Sequence, residues 1–198
     1  MRTCATWSGK LPLVAAAPIL RELFRAYRER LGDEDNGIVF EKPGERVDVF
    51  VYRAKDASGV TRFATLGPSV RPLPKTGERF ELHFARRGML TPEVEHAIAV
   101  QLANLSSHPW VMDSHYDWGH ILGLHRPMPT FESSSAVYLS GPLDADGLVT
   151  LPTSEGDVKI FHVVPITASE RARAAGMSTG AFTQDLLAKV DVLVDRPS

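Results

Sequence analysis

The stretch HPWVMDSHYDWGHILGLHRPMP, His108 to Pro129, decides how this chain is read. It holds two of the three tryptophans and four of the seven histidines. Asp113 and Asp117 sit among them, and Gly119 and Gly123 loosen the backbone. Rigid aromatics beside histidines and carboxylates suit a binding surface, or equally a metal or acid–base site. Residue type alone leaves both open.

On its N-terminal side, a helix is expected from Thr91, with Pro92 at its first position, to about Ser106. Glu93 and Glu95 stand in the first turn, where the helix dipole favours acids. Val94, Ala97, Ile98, Gln101, Leu102 and Leu105 trace its expected buried face. Further back, Pro18 to Leu31 predicts another helix. There Ile19, Leu20, Leu23, Phe24, Tyr27 and Leu31 form a stripe opposite a charged, solvated face, and Gly32 is a stop. Strands are expected at Ile38 to Phe40, Val47 to Tyr52 and Thr61 to Leu66, the last two joined by a hairpin over Lys55 to Gly59. GPSVRPLPKTG, 67–77, reads as an irregular loop. Arg79 to Phe84, RFELHF, alternates apolar and polar residues as a half-buried strand does. Together these predict an antiparallel sheet with one face covered.

On the C-terminal side, a helix over Trp118 to Leu124 would put Asp117 and His120 on one face, but Gly119 and Gly123 argue against it. Ala136 to Leu139, Leu148 to Leu151 and Val158 to Ile166 are strand-like. A last helix, from Ser169 or from Thr179 to Val194, carries Leu186, Leu187, Val190 and Leu193, with breaks expected at Gly176 and Gly180. The order predicts one α+β domain over residues 18–198, a mainly antiparallel or mixed sheet flanked by helices. Residues 1–17 read as an N-terminal extension with poor order.

At 198 residues the chain suits one substantial core. Its apolar fraction of 43% and charged fraction of 23% are those of a globular protein. A formal net charge of -2 and scattered basic residues argue against a nucleic-acid partner. The single cysteine, Cys4, excludes an internal disulfide and fits a reducing compartment. The apolar run from Leu11 to Leu20 is interrupted by Pro12 and Pro18 and lacks a clear cleavage region. No apolar run approaches the ~20 residues of a spanning helix. A cytoplasmic protein without membrane contact is therefore expected.

His108, His115, His120 and His125 are spaced seven, five and five apart. With Asp113 and Asp117 they could in principle ligate zinc or iron, but the spacing matches no H-E-x-x-H and no paired cysteines accompany it. Asp113 and Asp117 as a general acid and base compete with the plainer reading of loop acids bonded to nearby N–H groups. Cys4 lies near the terminus, Ser133-Ser134-Ser135 is no nucleophile elbow, and no phosphate-binding glycine motif occurs. No catalytic constellation closes, and no cofactor or metal is expected. Trp110, Tyr116 and Trp118 read either as core residues under a loop or as a protein-binding hot spot.

Four blocks carry a family resemblance: Val47-Asp48-Val49-Phe50-Val51; Thr65-Leu66-Gly67-Pro68-Ser69 with Pro72 beyond it; Asp117-Trp118-Gly119-His120 preceded by His108-Pro109-Trp110; and Ile160 to Ile166, IFHVVPI. In this order they resemble the suppressor-of-fused domain, with its T-x-G-[MP]-S segment, W-G-H core and late V-V-P-[LI] strand. Pro68 stands where methionine is common, His162 where a glutamine or another polar residue is frequent, and residues 1–17 match nothing in the family. The resemblance implies a non-catalytic domain that binds a protein or peptide. Bacterial stand-alone members are similar to immunity proteins, so the partner it implies is a cognate toxin, with Trp118, His120, Asp117, Tyr116 and Trp110 lining or supporting the contact surface. Two alternatives remain: a peptide-binding regulatory module that adds a partner's strand to a sheet edge, and a metal-dependent hydrolase using the His108–His125 cluster.

Overall fold

Strand-forming residues dominate the middle of the chain, and the helices that flank them cover both faces of one sheet. The computed structural model describes residues 17–42, 44–143 and 147–197. Its elements run α1 (Pro18–Leu31), β1 (Asn36–Lys42), β2 (Glu45–Tyr52), β3 (Val60–Leu66), a 3₁₀ turn (Pro68–Val70), β4 (Arg79–Arg87), α2 (Pro92–Val111), β5 (Ile121–Gly123), β6 (Ser134–Ser140), β7 (Thr150–Leu151), β8 (Val158–Thr167), α3 (Ala168–Ala174) and α4 (Thr179–Lys189). The sheet has the order β1-β2-β3-β4-β8-β6-β5, with β7 also on β8. Among the described strands only β4 and β8 pair in parallel, so the sheet is mixed, as an α+β domain allows.

Successive side chains of a strand point to opposite faces, and both sets are buried here. Val49, Val51, Phe63, Phe80, Leu82, Phe161 and Val163 meet α2 and the stretch that follows it. Phe50, Tyr52, Ala64, Leu66 and Ile160 meet Ile19, Leu23, Phe24 and Tyr27 of α1. Further along that second face, Ala136, Tyr138, Val164 and Ile166 pack on Phe182 and Leu186 of α4. The expected sheet with one covered face is corrected by this arrangement. The alternation in β4 misled because its polar residues are themselves inside: Glu81 is 0% and His83 6% exposed.

Other boundaries moved for local reasons. α2 runs past Ser106 to Val111, taking His108, Pro109 and Trp110 into the helix. Its buried side includes Glu95, which Arg53 clasps with bonds of 2.7 and 2.8 Å, while Ala97 faces solvent. Residues 121–123 form a strand, not a helix. The last helix does split, but Gly180 lies inside α4, and α4 stops at Lys189. α3 starts with a complete capping box between Thr167 and Glu170. Ala17, expected in the extension, flanks α1 and packs on its cluster. Cys4 and the rest of residues 1–16 lie outside the described residues, as do Pro43 and 144–146.

Candidate functional site

The last turn of α2 sets the geometry of the central stretch. Pro109 has no N–H, so the Leu105 carbonyl loses its helical donor. The Tyr116 hydroxyl donates to that carbonyl at 2.8 Å. Asp113 takes φ 46° between them, an αL conformation that aspartate tolerates and that folds the chain back on the helix end. Tyr116 is thereby sunk to 0% exposure, against Phe80 and under the His108 ring. Burial pushes its phenol pKa upward. Tyr116 therefore supports the stretch from beneath and offers no surface of its own.

Trp110 is half-buried. It stacks on Phe80 with centroids 5.7 Å apart, donates its indole N–H to the Pro72 carbonyl at 3.0 Å, and lies under Arg71. Its hydrogen bond ties the helix end to the proline-rich loop after β3. Trp118 is half-buried too, edge-on to Phe161, with the Lys159 ammonium 4.9 Å from its ring centroid. Asp117 completes this corner: it accepts from the Trp118 N–H at 2.9 Å and from Lys159 at 3.3 Å. Burial pulls its pKa up, but the Trp118 N–H and Lys159 outweigh burial and hold it below the usual range. Lys159 also bridges to Glu78 at 2.7 Å.

Gly119 turns the corner at φ 93°, and a Cβ there would run into the Thr179 side chain. No other residue combines that backbone with that approach. His120 accepts from the Asp117 N–H through Nδ1 and packs edge-on to His115. Gly119 donates to Leu139, Leu139 donates to His120, and Leu124 donates to Ser135. In this antiparallel pairing the His120 carbonyl and the Leu124 N–H face β6, so the backbone polar groups of Ile121 and Gly123 face outward. Among the described residues no strand pairs with that outer side of β5. Val111 and Met112, 73% and 62% exposed, stand before the corner.

The four histidines do not converge. His108 stacks on Tyr116, His115 and His120 meet each other, and His125 is exposed. Among the described residues no three histidine, cysteine or acidic side chains could hold a metal ion together. The metal-dependent hydrolase thus lacks a ligand set there.

One polar constellation escaped the sequence reading. The Glu81 carboxylate accepts from Thr65 Oγ1 (2.6 Å), the Gly67 and Ser69 N–H groups (3.0 and 3.1 Å) and Ser69 Oγ (2.6 Å). Thus the Thr65-x-Gly67-x-Ser69 segment is a cradle for a buried acid. Burial raises the Glu81 pKa; the donors oppose it, and the balance lies at about 7. Gly67 is required because a Cβ would overlap the Arg46 carbonyl oxygen. The signal was present in the TLGPS block and in the lone acid of RFELHF, but nothing in the sequence joined them.

The fold and these blocks bear directly on ancestry. The family model described as Suppressor of fused protein (SUFU) matches residues 43–197. The chain belongs to the suppressor-of-fused family. Among solved structures, it is similar to the suppressor-of-fused homologue of Neisseria gonorrhoeae, at TM-score 0.68 and 18% identity, covering 90% of this chain and 94% of that one. Drosophila Suppressor of Fused matches at TM-score 0.62 and 13% identity over 90% of this chain, which spans 48% of the Drosophila chain. A chain of the Sufu–Fu complex matches at TM-score 0.63 and 14% identity, covering 89% and 87%. No curated protein matches. At these identities the structural likeness speaks for the fold.

In suppressor-of-fused terms, the quoted blocks fall on β2, the Glu81 cradle, the corner before β5, and β8. Pro165 of the V-V-P block pairs with Val137 on one side only, since β4 leaves β8 at His162. Its missing N–H therefore costs no ladder bond. Its carbonyl accepts from Arg196, which also grips the capping acid Glu170. No helix among the described residues is long and apolar enough to cross a membrane.

Proposed function

We propose that this suppressor-of-fused domain is a non-catalytic binding module that holds a protein or peptide partner along the edge from Trp118 to Gly123. The observation that carries this is the open outer side of β5, where the Ile121 and Gly123 backbone groups have no strand partner among the described residues. An extended segment of a partner can add there as a further strand, with main-chain bonds for affinity and side-chain contacts for specificity. Trp118 and His120 contribute contact, Asp117 fixes the corner, and Tyr116 and Trp110 brace it from below. A complex between Sufu and Fu on the same fold supports a partner-binding use.

Within this reading the partner is a toxin and the chain is its cytoplasmic immunity protein, supported by the resemblance of its blocks to bacterial stand-alone members. Co-expression with a toxin encoded beside it is the test. Growth is expected to be restored by the wild type and not by Gly123→Pro, which removes an outward N–H while sparing the β6 bonds. Equal rescue by both would place the contact elsewhere. Failure of the wild type to rescue, with a stoichiometric partner still bound, would replace immunity by the peptide-binding regulatory role.

A further inference from the structure

The face of the sheet that carries α1 and α4 is not evenly covered. The α1 cluster and the α4 cluster stay separate. Between them the floor is polar, made of Arg62 from β3, His83 from β4 and His162 from β8. A cavity of about 380 Å³ opens there, walled by Leu143, Leu187, Val190 and Val192. Its size lies at the lower end of the range of small-molecule sites, about 300–1,000 Å³.

Two observations point to a ligand. His83 is 6% exposed, and its Nε2 is buried with no hydrogen-bond partner among the described residues. Such an atom stands at a cost that an incoming polar group would relieve. Arg62, by contrast, is exposed, and among the described residues its guanidinium makes no hydrogen bond or ion pair. Asp191 also lines the cavity but is paired with Arg87 at 2.7 Å, so its charge is offset. Among the described residues, the one charge at the opening without an opposite charge beside it is that of Arg62. Burial, then His162 and Arg62, hold the His83 pKa below its ordinary value, which leaves a neutral ring able to donate or accept.

We propose that this cavity binds a small aliphatic monocarboxylate, its carboxylate held by Arg62 and by the His83 ring, which shifts to bring its buried Nε2 to the cavity, and its hydrocarbon against Leu187, Val190 and Val192. A cationic ligand would meet Arg62, which has no acidic partner among the described residues. An inorganic anion would leave the apolar wall uncovered, and a hydrocarbon alone would leave His83 unsatisfied.

Hexanoate is the probe, titrated into the full chain while the histidine ring resonances are followed by NMR. Hexan-1-ol serves as the uncharged counterpart. Saturable binding that shifts the His83 ring is expected. Arg62→Gln should weaken it roughly tenfold or more, as for loss of a charge-assisted bond. Leu187→Trp, which fills the cavity from an exposed position, should abolish it. Both sites lie at the surface, and thermal melts of the variants verify the fold. Absence of saturable shifts, undiminished binding in either folded variant, or hexan-1-ol binding as tightly as hexanoate would overturn the proposal.

Discussion

The Tyr116 hydroxyl occupies the Leu105 carbonyl, at 2.8 Å, that Pro109 deprives of its helical partner. A helix defect and a loop tyrosine thus satisfy each other, and the bond fixes where the chain leaves α2 for the Trp118 corner. Tyr116→Phe should lower stability by about 1–3 kcal/mol, the range for a buried acceptor left unpaired. In a Pro109→Ala background the loss should shrink, because the restored helical N–H reaches the same carbonyl. Urea denaturation of the four proteins measures this coupling, and equal losses in both backgrounds would refute it.

Glu81 makes stability depend on pH with an unusual sign. Its pKa is raised from 4.5 to about 7 in the folded protein. Its contribution is therefore complete below pH ~4.5 and disappears as pH rises through about 7. At about 1.4 kcal/mol per pH unit the upper limit is on the order of 3 kcal/mol. His83, whose pKa moves downward, contributes in the opposite direction, present above about pH 6.5 and lost on acidification. Melting curves of wild type and Glu81→Gln between pH 4.5 and 8 separate the two: the wild type should lose stability relative to the variant as pH rises. A constant difference would remove this role for Glu81.

The two corner glycines should differ in how they fail. At Gly67 an added Cβ meets backbone, the Arg46 carbonyl, at φ 143°; at Gly119 it meets the Thr179 side chain at φ 93°. Gly67→Ala is expected to cost upwards of ~3 kcal/mol or prevent folding. Gly119→Ala should cost less, and Thr179→Gly should recover part of that loss. Denaturation midpoints check both, and no recovery in the double variant would mean that backbone strain dominates at Gly119.

Trp118 anchors the corner through Phe161 and Lys159. Trp118→Ala should destabilise the domain by about 3 kcal/mol, as for a large aromatic lost from partly buried packing. Lys159→Met should cost less, about 1 kcal/mol, since its partners Glu78 and Asp117 are 38% and 49% exposed and the ion pairs are screened by solvent. Comparable melting of wild type and Trp118→Ala would show that the ring is not part of the core.

What could be read in the sequence followed from local periodicity. The α1 stripe, opened by Pro18 and closed by Gly32, gave that helix from Pro18 to Leu31. What stayed hidden depended on distant partners. RFELHF alternates like a half-exposed strand, and only the cradle of Thr65, Gly67 and Ser69 explains a buried Glu81. α2 was expected to end near Ser106, and it runs on to Val111 because the Tyr116 hydroxyl satisfies the carbonyl that Pro109 leaves without a donor. β5 is three residues long and ends in glycine, too short for any period to show. Trp110, Tyr116, Trp118 and His120 were legible as a group by residue type. That Tyr116 is buried while Trp110, Trp118 and His120 are half-buried came only from the packing.

The binding edge itself is tested most directly by an affinity pull-down from the native cell lysate, comparing wild type, Gly123→Pro and Trp118→Ala, each verified by melting, with captured proteins identified by mass spectrometry. One stoichiometric partner, retained by the wild type and lost by a folded Gly123→Pro, is the predicted result. A partner held equally by Gly123→Pro would contradict the account.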